Sequence, residues 1–457
     1  NFIFISKMLN KFSRYVCQNC GYETSQYFGR CNNCKEWNSI IEEKKSTLSK
    51  KNIIKQTKTS KLFTEIKLQE ISRIKTGFNE FDRVLGGGLV NGSIILLGGE
   101  PGIGKSTLVL QAAGKMSLSH NVLYITAEES LEQVKIRWDR LNQGNSELKV
   151  FAENNLSLII DEIESSKPTV AIIDSIQALN NSDLESASGS VSQVRSCSSE
   201  LQKYAKDNNI ALLIIGHVTK DGTLAGPKTL EHLVDVVLNF EGDQIATHRL
   251  LRGIKNRFGA TFELGIFEML ETGLNEIKNP SSNFTCQENI AGVATTITVE
   301  GTRSFAVDIQ SLVNKSFYTN PKRATTGLNI NRLHQIIAVI EKHVDLKLYE
   351  FDCYVATAGG FEINDPSSDL CIAISIISSL INKNPIKDCA FIGELGLNGQ
   401  LRKTNNLKSK VEECIRLGYR KILIPKNNSE IVMKFKNYIS LIEIENIKGA
   451  VNIALKN

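Results

Sequence analysis

Apolar residues in this chain fall into short unbroken runs separated by stretches of helical period. From residue 71 the runs are SIILL (93–97), NVLYIT (121–126), TVAIIDS (169–175) and IALLIIG (210–216). A strand buried on both faces needs apolar side chains at consecutive positions, so a short run bounded by turn residues is its mark. Between the runs, LEQVKIRWDRL and VRSCSSELQKYAKD repeat apolar residues every three to four positions, the period of an amphipathic helix. Strands alternating with helices predict a parallel sheet flanked by helices, here over residues 71–272.

The same alternation resumes near Pro280. TTITVEGTR, FDCYVATAGG, AFIGELGLNG and KILIP read as strands, while LNINRLHQIIAVIEKHV, SSDLCIAISIISSLI and NLKSKVEECIRLG read as helices. They predict a second α/β core over 280–457. EKKSTLSKKNIIKQTKTSK (43–61) shows neither period, and its lysines predict a solvated basic linker over 43–70. No fixed-period repeat is visible.

At 457 residues the chain exceeds what one core accommodates. Its net charge of +5 permits a nucleic-acid partner without demanding one. No run of about 18 apolar residues appears, so no membrane partner is expected. The opening NFIFI is too short for a secretory apolar region, and Met8 is a candidate start. The ten cysteines are accordingly read as reduced and cytoplasmic. Four of them, Cys17, Cys20, Cys31 and Cys34, form C-x2-C-x10-C-x2-C, two knuckles able to offer four thiolates to one tetrahedral Zn²⁺. A zinc ribbon over 8–42 is expected, with a redox dithiol or disulfides as the alternatives. A closed site of this kind staples a small module and performs no catalysis.

Gly99-Glu100-Pro101-Gly102-Ile103-Gly104-Lys105-Ser106-Thr107 satisfies G-x4-G-K-[ST] between a predicted strand and a predicted helix, the context that makes it a phosphate loop. Glycines let backbone N–H groups face phosphate, and the helix N-terminus adds its positive dipole end. Lys105 is expected to reach the β/γ-phosphates of ATP and Ser106 to ligate Mg²⁺. Asp174 ends one apolar run, where a carboxylate can hold the Mg²⁺ shell. Glu128 follows another run and is the expected base for the attacking water, with Glu129 the adjacent alternative. His217, after IALLIIG, is a candidate reporter of the γ-phosphate or a polar cap. KNRFG supplies two cations, Lys255 and Arg257; they read as a basic turn or as charges that a neighbouring subunit inserts against the transition state.

The ribbon, GEPGIGKST, AEES, KNRFG and the second α/β region occur in that order, and together they resemble the bacterial RadA/Sms family of recombination and repair ATPases. KNRFG is the most diagnostic of these. The resemblance implies a RecA-like motor assembling as a homo-hexamer on single-stranded and branched DNA. It would hydrolyse ATP to drive branch migration alongside the RecA recombinase. It assigns the phosphate loop to Gly99–Thr107, the metal-associated carboxylate to Asp174, the base to Glu128 and the inter-subunit cations to Lys255 and Arg257. The family's glycine before that glutamate is Ala127 here. DNA-contacting loops would match residues 180–196 and 218–232, both Gly/Ser-rich and without aromatics, with Arg195, Lys220 and Lys228 as the contacting cations.

The second region resembles the Lon protease domain. Ser367 falls at the nucleophile position and Lys408 at the base position of a Ser–Lys dyad. The neighbouring Asp369 opposes that chemistry by favouring a protonated lysine, so Ser367 is expected to act as a helix N-cap. Three functions follow: a DNA-stimulated ATPase motor, which the motifs favour; a Ser–Lys peptidase; and a KaiC-like regulatory ATPase.

Overall fold

The computed structural model describes residues 14–17, 22–37, 39–43, 72–142, 144, 147–217, 228–242, 248–286, 288–317 and 320–455. It divides into one compact unit ending at Glu276 and another beginning at Ile277. At the start, β1 (Arg14–Cys17) pairs antiparallel with β2 (Glu23–Thr24) and β3 (Ile40–Glu43). A small hairpin of β4 (Arg73–Ile74) and β5 (Leu89–Val90), enclosing α1 (Asn79–Val84), follows.

The body of the first unit is a nine-stranded sheet. Its strands are β6 (Ile94–Gly99), β7 (Val122–Thr126), β8 (Lys149–Ala152), β9 (Val170–Asp174), β10 (Ala211–Ile215), β11 (Val236–Glu241), β12 (His248–Asn256), β13 (Leu264–Leu270) and β14 (Gly273–Glu276). Their order is β14-β13-β12-β11-β6-β10-β9-β7-β8. From β11 to β8 every pairing is parallel.

Alternate residues of one strand feed two cores. Ile95 and Leu97 face α1, α2 (Lys105–Ser117) and α3 (Leu131–Arg140), whereas Ile94 and Leu96 face α4 (Leu156–Ser166) and α5 (Val191–Asp207). This is why both positions of the period are apolar in these runs. The parallel expectation holds for six strands, but β12, β13 and β14 extend the sheet antiparallel. Their mixed composition, HRLLRGIKN in β12, follows from a partly exposed surface rather than two buried faces. A short helix, α6 (Lys228–Leu233), precedes β11.

The second unit opens with α7 (Ser281–Phe284) and holds a mixed sheet. Its strands are β15 (Val293–Glu300), β16 (Arg303–Lys315), β17 (Arg323–Thr326), β18 (Phe351–Thr357), β19 (Cys389–Phe391), β22 (Lys421–Pro425) and β23 (Ser440–Ile444), in the order β17-β18-β16-β15-β19-β22-β23; β20 (Glu394–Leu395) and β21 (Leu401–Arg402) pair separately. Helices α8 (Ile330–Val344) and α9 (Asp369–Ile381) pack together, and α9 lies on β15 and β16. The other core joins α10 (Leu407–Arg416) and α11 (Ser429–Phe435) to the sheet, and α12 (Ile447–Ala454) packs on α8 and α9.

Candidate nucleotide site

The parallel strands all end at one sheet edge, where ligands of open α/β sheets collect. The loop after β6 turns there into α2. Gly99 and Gly104 are required by its shape. Gly99 has a φ of +155° and a Cβ on it would lie 2.5 Å from the Phe240 carbonyl oxygen; Gly104, the cap of α2, has a φ of +112° and its Cβ would meet Met269 at 2.5 Å. Glu100, Pro101 and Gly102 are exposed, Ile103 is buried, and Ser106 and Thr107 are half-buried on the first turn. Arg249, buried on β12, donates from Nε to the Ile103 carbonyl at 3.1 Å and braces the loop.

Lys105 is 3 % exposed and donates to the carbonyls of Gly99 (2.9 Å) and Glu100 (2.8 Å). Burial lowers its pKa to about 8 despite the opposing attraction of Asp174, Glu128 and Glu100. Asp174 and Glu128, at the ends of β9 and β7, act on the ammonium from the same sheet edge as the loop.

Asp174 ends β9 opposite Thr126 of β7, and the Ala127 N–H donates to its carbonyl at 2.8 Å. Glu128 follows β7. Ser175 donates its hydroxyl to Glu128 Oε1, and His217 Nε2 lies 3.4 Å from the same oxygen. The hydrogen bond to His217, ahead of that to Ser175, holds the Glu128 carboxyl below its ordinary pKa. Glu129 turns away and pairs with Arg137, while its backbone and Thr126 close the turn. Ser130 and Gln133 form a capping box that starts α3. Sequence reasoning missed Ser175, whose neighbourhood to Asp174 was the available signal.

Lys255 and Arg257 lie elsewhere. In register, Phe240 faces Gly99, whereas Val236 faces both Ile95 and Asn256, and Val237 faces Lys255. The two cations therefore sit at the amino edge, about four strand residues or roughly 13 Å along the sheet from the phosphate loop. Lys255 Nζ donates to the carbonyls of Glu231 (2.5 Å) and Val234 (2.8 Å), and Arg257 pairs with Asp235 at 2.9 Å. Burial lowers the Lys255 pKa.

The stretch 180–196 is part loop and part helix, since α5 starts at Val191. Gln193 is fully buried; it donates to Asn180, Asn181, Leu184 and Ser186 and accepts the Asn181 N–H. One side chain thus builds the loop. Arg195 is exposed on α5. Lys220 lies outside the described residues, and Lys228 begins α6.

In the ribbon, the sulfurs of Cys17, Cys31 and Cys34 lie within 4.8 Å of one another, with Cys17 and Cys34 3.6 Å apart. Four thiolates about 2.3 Å from a zinc stand roughly 3.8 Å apart, so the set fits that ion. Cys20 lies outside the described residues.

The Ser–Lys assignment needs correcting. Lys408 is 59 % exposed and pairs with Glu412. Lys410, one half-turn on, is buried and donates to the Ser367 hydroxyl and, at 2.6 Å, to Asp365. Ser367 does not cap α9 either; Ser368 holds that position. Burial lowers the Lys410 pKa and Asp365 opposes it. Asp369 is taken by Arg332. Ser367 is 2 % exposed and does not line the adjacent cavity of about 370 Å³.

The edge carrying the phosphate loop, Asp174 and Glu128 is built for a nucleoside triphosphate, and with this sheet it places the chain among the RecA-like P-loop ATPases. Residues 58–223 match a family model described as an AAA domain, 15–42 one described as a rubredoxin metal binding domain, and 357–428 one described as subunit ChlI of Mg-chelatase. The chain is 44 % identical to the DNA repair protein RadA of Bacillus subtilis, across 97 % of its own length and 98 % of that protein's. It is 42 % identical to RadA of Synechocystis, across 97 % and 94 %. The chain belongs to the RadA family. Among solved structures, a KaiC-like protein of Pyrococcus horikoshii is similar with a TM-score of 0.38 at 17 % identity, over 45 % of this chain and 99 % of that one. Among the described residues, no helix is long and apolar enough to cross a membrane.

Proposed function

We propose that this chain is a cytoplasmic DNA-stimulated ATPase motor acting in DNA repair, which works as a hexameric ring and drives branch migration of recombination intermediates alongside a RecA recombinase. The observation that carries it is the division of its charges between two sheet edges. Lys255 and Arg257 lie too far from their own phosphate loop to serve it, so they reach a nucleotide only on another copy. A closed ring satisfies every site at once.

Within one site, the loop N–H groups and Lys105 bind the phosphates of ATP. Ser106 and Asp174 offer the oxygen ligands that suit Mg²⁺, which when bound neutralises charge on the phosphates. Glu128 is ionised at neutral pH and takes the proton of the attacking water. Ser175 and His217 both engage Oε1, which fixes the carboxylate and leaves Oε2 for that water. The segment after Asp174 runs directly into loop 180–190, so nucleotide state and a DNA-facing loop share one stretch of chain. Arg195, Lys220 and Lys228 contact DNA phosphates without reading sequence.

A mixing experiment tests the shared site. Lys105→Ala and Lys255→Ala are each expected to be inactive alone. Mixed in equal amounts, random rings regain about a quarter of wild-type ATP hydrolysis, because some interfaces pair an intact loop with an intact cation. No recovery would refute the inter-subunit role. The peptidase reading rests on the Ser367–Lys410 contact; against it stand the burial of Ser367 and the Asp365 carboxylate, which pairs with the lysine and opposes the lowering of its pKa.

A further inference from the structure

Strand β7 reads VLYIT, and all five residues are buried. Four of them suit a core strand. The fifth, Tyr124, brings a phenol hydroxyl into a place with no water, and a buried tyrosine needs a partner for that group. Tyr124 is fully buried among the residues that pack β6 and β9 against α2. In register it lies opposite Ile172, two residues before Asp174, so Tyr124 and Asp174 project from the same sheet face. The hydroxyl donates to Asp174 Oδ2 at 2.5 Å.

We propose that Tyr124 is the positioning residue for the metal-associated carboxylate: its hydroxyl fixes one oxygen of Asp174 and so aims the other at the phosphate-loop side of the edge. This rests on the reading of Asp174 as part of the Mg²⁺ shell.

Three observations support it. Asp174 is itself only 8 % exposed, so its rotamer is set by protein neighbours rather than by water. Its backbone is pinned through the Ala127 N–H, which leaves the side-chain torsions as the remaining freedom. The hydroxyl removes that freedom. The partition is also economical. Ser175, the next residue, performs the same service for Glu128, so adjacent residues at the end of β9 are tied to side chains of β7 and of the turn after it. The two carboxylates are thereby held separately, one by a phenol and one by a hydroxyl and an imidazole.

The test is equilibrium binding of a fluorescent non-hydrolysable ATP analogue to the full chain, with Mg²⁺ and with chelator. The quantity read is the ratio of the two Kd values. Tyr124→Phe keeps the ring and removes the hydrogen bond. It is expected to cut the Mg²⁺-dependent gain by about tenfold or more, the value of a hydrogen bond to a charged group, while leaving Mg²⁺-free binding within about twofold. Asp174→Asn is expected to remove the gain. In the Asp174→Asn background, Tyr124→Phe is expected to add nothing, because the hydroxyl acts through that carboxylate. A wild-type ratio in Tyr124→Phe beside a lost one in Asp174→Asn overturns the inference alone. A wild-type ratio in Asp174→Asn overturns the metal reading on which it rests. Equal weakening with and without Mg²⁺ in Tyr124→Phe marks a merely structural residue and overturns the inference too. If Tyr124→Phe does not fold, fluorotyrosine at position 124 retains the ring and hydroxyl but strengthens the donor; an unchanged ratio there overturns the inference.

Discussion

Lys105 makes nucleotide binding depend on pH in a direction the structure fixes. With its pKa lowered to about 8, the free chain surrenders the Lys105 proton around pH 8 instead of above pH 10. Phosphates need the ammonium form, and their charge restores the pKa once bound. Binding therefore takes up a proton wherever the free lysine is neutral. Affinity is full below pH 8 and falls as pH rises through it, which is the sign expected for a cation depressed in the free state. With a bound pKa back near the ordinary lysine value, affinity drops about twofold by pH 8 and about tenfold by pH 9, relative to pH 7. Tenfold corresponds to about 1.4 kcal/mol. The assay is titration with a fluorescent ATP analogue in Mg²⁺ at pH 7, 8 and 9. Lys105→Arg serves as the control, since a guanidinium stays charged throughout, and its profile is expected to be flat whatever its absolute affinity. A flat wild-type profile, or an equal slope in Lys105→Arg, would show that the Lys105 proton does not govern binding.

Ser175→Ala removes a hydrogen bond to the Glu128 carboxylate and is expected to lower kcat by about ten- to a hundredfold with nucleotide affinity unchanged, checked by steady-state kinetics beside equilibrium binding. His217→Ala removes the main influence holding the Glu128 pKa down, so the acid limb of the kcat–pH profile is expected to move to higher pH. Asp365→Ala strands a buried Lys410 charge and is expected to cost about 3–5 kcal/mol, read as a lowered thermal transition of the full chain; Ser367→Ala, which leaves that ion pair intact, is expected to cost about 1 kcal/mol. The ribbon is expected to bind one zinc per chain by elemental analysis, and Cys31→Ser to release it.

Local elements were legible where one physical requirement fixed the residue type. A parallel strand buried on both faces forces an apolar run, and a phosphate loop forces its glycines and its Lys-Ser, so β6, β7, β9, β10 and the turn into α2 stand out in the sequence. The antiparallel strands β12 to β14 are only partly buried, and their charged residues blur the pattern. The contacts of the site were hidden for a different reason. Ser175 is 47 residues from Glu128, and Tyr124 is 50 from Asp174; strand pairing alone brings them together. The lysine at Ser367 was within reach of sequence reasoning. In α10 the buried residues include Leu407, Lys410, Val411 and Cys414, a helical stripe that includes Lys410 and leaves Lys408 outside. The phase of the helix, and not the resemblance to a motif, decides which lysine turns inward.

Steady-state ATP hydrolysis with and without single-stranded DNA, in the wild type and in Lys255→Ala, separates a DNA motor with shared sites from a self-contained ATPase. Hydrolysis is expected to rise on adding DNA in the wild type, and that turnover to be lost in Lys255→Ala although its own phosphate loop is intact. Hydrolysis indifferent to DNA would contradict a motor on DNA, and wild-type turnover in Lys255→Ala would contradict a site shared between subunits.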